Sequence, residues 1–179
     1  MSTIRDLTEL VPPPAKPLFA DDENSWAAVQ KRLGVRLPAE MAHFGRTYGS
    51  GRFDGGAGRL QIYNPFDPLY EAVVRSVSDV YLGLREDSPH WLPYDFYPEP
   101  GGLFPIAYAD GRGTMVFLLM DPATPEKHVV VYDDRWDGIA EYPQRMFDFL
   151  FDFLGNRIEE HYFREQIRFV PERHYAPEQ

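Results

Sequence analysis

Apolar residues recur at helical spacing in four stretches of this chain. Trp26, Val29 and Leu33 stand at i, i+3 and i+7, which puts them on one face of a helix. Gly34 follows directly, where a residue of left-handed conformation closes a helix. Pro38 can open a second helix, because the N–H that proline lacks has no partner in a first turn. Met41, Phe44 and Tyr48 repeat the spacing there, and Gly49 ends it. Leu69, Val73, Val77, Val80 and Leu84 form a third stripe, with Glu71, Arg75 and Asp79 on the polar side. The fourth run, 146–154, is apolar almost all round, so it predicts a helix buried against a sheet. Asp148 and Asp152, an i, i+4 pair, mark its wet side, and Gly155 ends it.

Short apolar runs separate these helices. Residues 60–63 predict a strand, and so do 103–108, 114–120 and 128–132. Asp110-Gly111 between two of them favours the positive φ of a tight hairpin turn. Helices at both ends around a central, mostly antiparallel sheet give an α+β fold. Residues 11–17, Val-Pro-Pro-Pro-Ala-Lys-Pro, read as a stiff extended spacer. The expected division is a proline-rich arm at 1–20, one domain at 21–158, and a C-terminal extension at 159–179. That extension suits a further helix or an edge strand.

Several of these residues carry a likeness. A tryptophan on a helix (Trp26), the link Leu33-Gly34-Val35-Arg36-Leu37-Pro38, an aromatic helix, and Tyr48-Gly49-Ser50-Gly51 before a strand ending near Pro65 resemble the SUKH superfamily. Pro105-Ile106-Ala107-Tyr108-Ala109-Asp110-Gly111-Arg112-Gly113 and the Phe-rich last helix continue the resemblance. Members often carry an acid after the second glycine, where this chain has Thr114. The superfamily joins fungal regulators of cell-wall synthesis to bacterial immunity proteins against secreted toxins. The resemblance implies a protein-binding module that neutralises a toxin, often a nuclease or a deaminase of nucleic acids, by direct contact. It also leaves open a regulatory scaffold with several clients, for which the proline segment would serve.

Composition narrows the function classes. At 179 residues, folding buries roughly 70% of the unfolded surface, so no staple is required. The chain has no cysteine, which removes disulfides, thiolate metal sites and a cysteine nucleophile together. Its net charge of -10 repels a phosphate backbone, and no basic run offsets it, so direct nucleic-acid binding is not expected. The same charge attracts a basic protein. No window approaches the ~20 apolar residues of a membrane span, and the first residues do not form a signal peptide, so the expected site of action is the cytoplasm. Asp21, Asp22 and Glu23 suit the positive end of the first helix.

Candidate chemistry is sparse. The glycine-dense segment 49–58 invites a phosphate-loop reading, but a helix precedes it and a strand follows, the reverse of the required order. Its glycines serve a tight reversal instead. His43, His90, His128, His161 and His174 show no zinc-type spacing. The one enzymatic alternative is a divalent-metal site built from His128, Asp133, Asp134 and Asp137 at a strand end. The preferred reading needs no cofactor and no metal. It takes Trp91, Tyr94 and Tyr97 in the aromatic segment 88–102, with Asp133, Asp134, Trp136 and Asp137, as the partner-binding set, because interfaces favour Tyr and Trp. Trp26, Leu33, Gly34, Leu37, Pro38, Tyr48, Gly49 and Gly51 are the motif that builds the fold.

Overall fold

The computed structural model describes residues 1–20, 25–55, 58–109, 113–120, 129–133, 138–158 and 174–177. The acids at 21–23, the turn at 110–112, His128, Asp134, Trp136, Asp137 and His161 lie outside the described residues. The elements, in chain order, are α1 (Ile4–Leu10), α2 (Ser25–Leu33), α3 (Ala39–Tyr48), β1 (Gly51–Gly55), β2 (Gly58–Ile62) and α4 (Tyr70–Asp87). They continue with β3 (Leu103–Ala109), β4 (Thr114–Leu119), β5 (Val129–Asp133), β6 (Gly138–Tyr142), α5 (Met146–Leu154) and β7 (His174–Pro177). The strands make one antiparallel sheet in the order β6-β5-β4-β3-β2-β1-β7. The fold is therefore α+β around a central sheet, as the pattern predicts.

Local chemistry sets the helix ends. Thr3 caps α1 through a reciprocal bond with Asp6, whose carboxyl is held below its ordinary pKa by the Thr3 hydroxyl and backbone N–H. Gly34 and Gly49 take φ of +66° and +70°, where the sequence places helix ends. Met41, Phe44 and Tyr48 turn inward from α3, and Phe44, Tyr48, Phe53 and Tyr175 form one ring cluster. Tyr48 donates its hydroxyl hydrogen to the Val11 carbonyl at 2.6 Å, and Tyr175 donates to the Gly49 carbonyl at 2.9 Å. Those two bonds tie residues near both chain ends to α3. The extension thus supplies an edge strand, β7, one of its two expected forms.

Apart from Thr114 and Asp133 at their ends, central strands β4 and β5 are built of apolar and aromatic residues because both of their faces are covered. Val116, Leu118, Val129 and Val131 join a core that includes α1, α2, α3 and α5. Met115, Phe117, Val130 and Tyr132 join a second core with Tyr81, Leu92 and Phe96. Strands β1 and β6 were not expected from the sequence. β1 reads Gly-Arg-Phe-Asp-Gly and β6 reads Gly-Ile-Ala-Glu-Tyr, patterns too short and too weakly apolar to stand out.

Helix α4 corrects the third stripe. Its buried residues are Tyr70, Val74 and Tyr81, with Val77 and Leu84 packed beside the second core. Leu69 is 69% exposed and Val80 53% exposed. The helix is turned by about one residue from the expected face. Two tyrosines decide it: their rings bury more area than Leu69 and Val80 would. Tyr81 also keeps a partner inside, donating to the Tyr94 carbonyl at 2.9 Å.

Candidate partner-binding surface

The segment 88–102 is held to the sheet at closely spaced points. Leu92 and Phe96 are 1% and 3% exposed and enter the second core. Leu103 N–H donates to the Asp95 carbonyl at 2.8 Å, and Tyr97 N–H to the Leu103 carbonyl at 3.0 Å. Arg85 on α4 meets the Asp95 carboxylate at 2.6 Å. Such fixing orders a loop that has no periodic structure of its own.

On this frame the three aromatic candidates part company. Trp91 is 43% exposed, with only the His90 ring 5.0 Å from its own among the described rings. Tyr94 is half-buried and donates its hydroxyl hydrogen to Glu141 on β6 at 2.5 Å. Burial, and then the Glu141 carboxylate, push its hydroxyl up to about 12. Tyr97 lies edge-on to Phe104 at 5.2 Å, and its pKa is raised by burial and by the charge of Glu71. Tyr97 also borders a groove of about 220 Å³ between α2 and α4, where Arg32 and Glu71 pair at 2.6 Å.

The acidic candidates are reached only in part. Asp133 ends β5, its backbone paired with Gly138 of β6, and Asp134, Trp136 and Asp137 lie outside the described residues. Tyr94 nevertheless fastens the aromatic loop to Glu141, on the strand that begins directly after Asp137. The fold-building set is accounted for more fully. Leu33, Leu37, Pro38 and Tyr48 are buried, and Trp26 packs edge-on against Phe66 at 5.9 Å. A Cβ on Gly51 would stand 2.5 Å from the Ala176 carbonyl, so glycine lets β7 approach β1.

Two polar knots escaped the sequence reading. Ser50 and Asn64 are buried; the Ser50 hydroxyl donates to Asp67 at 2.6 Å, and Asn64 Nδ2 donates to the Phe19 carbonyl at 3.2 Å. Arg145 joins Glu40 at 3.2 Å, Asp148 at 3.1 Å and the Ser2 carbonyl at 2.9 Å. Both link residues far apart in the chain, for which no local spacing gives a signal. His43 and His90 are exposed. Among the described residues no group of three or more His, Cys, Asp or Glu is arranged to hold a metal. No helix among them is long and apolar enough to cross a membrane.

The family model of the SMI1 / KNR4 family (SUKH-1) matches residues 22–156, most of the chain. The chain belongs to the SUKH-1 family. That family holds immunity and regulator proteins, generally non-catalytic, toxin-immunity proteins among them. No curated protein and no solved structure matches the chain. The matched span of the SUKH-1 model begins just before α2 and ends just after α5, so α1 and β7 lie outside it.

Proposed function

We propose that this SUKH-1 protein is a non-catalytic binding module of the immunity type, acting in the cytoplasm to neutralise a bacterial toxin by covering it. The observation that carries this reading is the aromatic loop: Trp91 is 43% exposed while its neighbours Leu92 and Phe96 are almost wholly buried. A large ring on a fixed loop loses little freedom when a partner closes over it, which is how interface anchors arise. Tyr94 and Tyr97 of the same loop, with Asp133, Asp134, Trp136 and Asp137, complete the proposed contact set. The toxin is a protein that handles nucleic acid, a nuclease or a deaminase, and so carries a basic surface. A net charge of -10 draws such a partner in.

The test is surface-plasmon resonance against the toxin encoded beside this protein's gene. The expected result is a tight complex whose association rate falls several-fold from 50 to 300 mM salt, and which Trp91→Ala weakens at least tenfold. No complex with that toxin, joined to capture of several unrelated proteins, would favour a regulatory scaffold.

A further inference from the structure

Part of the third apolar stripe of the sequence was not absorbed by the core. Leu69 and Val80 are 69% and 53% exposed, and Val73 is half-buried beside them. At 100° per residue these three lie within about 40° of one another around α4, and Leu69 and Val80 are about 16 Å apart along its axis. The helix thus carries an apolar strip that no described residue covers fully. Ser76 and Gly83 fall on the same side, and a Cβ on Gly83 would meet nothing within 4 Å. A second helix can therefore approach closely.

The charges beside the strip choose the occupant. Asp79 and Glu86 are exposed on the outer shoulder of α4, farther round with Arg75, and the exposed Asp87, five turns on from Leu69, closes the strip's C-terminal end. At the N-terminal end the strip runs into a pocket of about 120 Å³, lined by Leu69, Val73, Gln61, Tyr63 and Asp67 among others. Asp67 there accepts from the Ser50 hydroxyl at 2.6 Å and from the Leu69 N–H at 2.8 Å, which leaves lone pairs of its carboxylate free. Apolar walls with a carboxylate inside suit a lysine or arginine, whose stem packs while its head pairs. A second copy of this chain would set acids against acids.

We propose that the Leu69–Val73–Val80 strip of α4 is a docking seam for an amphipathic helix of another protein, with an apolar stripe flanked by Lys and Arg. The mode is helix against helix, read by anchors at i, i+4 and i+11. It is separate from the Trp91 loop, so either surface can fail while the other stands.

Fluorescence anisotropy with a labelled 22-residue peptide, Leu at heptad a and d positions and Lys elsewhere, tests it on the full chain. A scrambled peptide of the same composition controls for bulk charge. Expected are binding by the amphipathic peptide at least tenfold tighter than by the scrambled one, and a loss of tenfold or more in the Leu69→Glu/Val80→Glu variant. Asp79→Lys/Glu86→Lys should weaken binding at least threefold. Circular dichroism should report unchanged folding, since all four positions are exposed. Equal binding by the Leu69→Glu/Val80→Glu variant, or by the scrambled peptide, would overturn the proposal. So would sedimentation of the wild type as a dimer that Leu69→Glu/Val80→Glu dissolves, because the seam would then belong to a second copy.

Discussion

Gly34 and Gly49 share a positive φ, +66° and +70°, but not a neighbourhood. A Cβ on Gly34 would meet nothing within 4 Å, whereas one on Gly49 would stand 2.2 Å from the Leu18 carbonyl oxygen. Gly34→Ala should therefore cost about 1 kcal/mol, the strain of the left-handed region alone. Gly49→Ala should cost about 3 kcal/mol or more, because strain and backbone collision combine. Urea midpoints of the two variants measure the difference, and equal values would contradict it. Asp148 offers a pH readout at the same scale. Burial works to raise its pKa, but the Ser2 N–H and the Arg145 guanidinium outweigh burial and hold it below its ordinary 3.8. A depressed folded pKa adds stability above the unfolded value and loses it as pH falls through the folded one. Wild type should thus melt higher than Asp148→Asn at pH 7, and the gap should close below about pH 4. A gap that stays constant down to pH 3 would show that the charge contributes nothing.

Among the elements, α4 separates the legible from the illegible. Its existence follows from periodicity, yet its rotation does not, because an arc of apolar residues wider than one face admits more than one way of burial. Tyr70, Val74 and Tyr81 face inward; Leu69 and Val80 do not. Val74→Gln should therefore cost about 2 kcal/mol or more, through a polar group set in the core. Val80→Gln should stay within about 0.5 kcal/mol of wild type. Chemical denaturation checks both, and the reverse order would mean that the helix sits as the sequence stripe suggested. The same limit explains the missed strands. β1 presents one large apolar side chain, Phe53, between polar neighbours, and only its pairing with β2 and β7 makes it a strand. By contrast β4, β5 and α5 could be read directly, because burial on nearly all sides leaves an unbroken apolar record in the sequence. Of the proposed contact set, the aromatic residues were visible as types. Which of them stays exposed depends on Leu92 and Phe96 finding the second core, a tertiary event that no local pattern encodes.

At the scale of the molecule, a sheet packed on both faces fixes the loops at its margins, and a charge of -10 surrounds them. Rigidity and negative potential are what a blocking protein needs: the first keeps the cost of ordering low, the second speeds encounter with a basic target. Nothing in that account consumes or transforms the partner. The most direct measurement is a titration of the neighbouring toxin's activity with purified protein at toxin concentrations well above the dissociation constant. Binding alone predicts a linear fall that ends at a fixed molar ratio and does not deepen with time. Inhibition by a few per cent of an equivalent, growing as incubation lengthens, would mean that the protein turns over and would contradict the account.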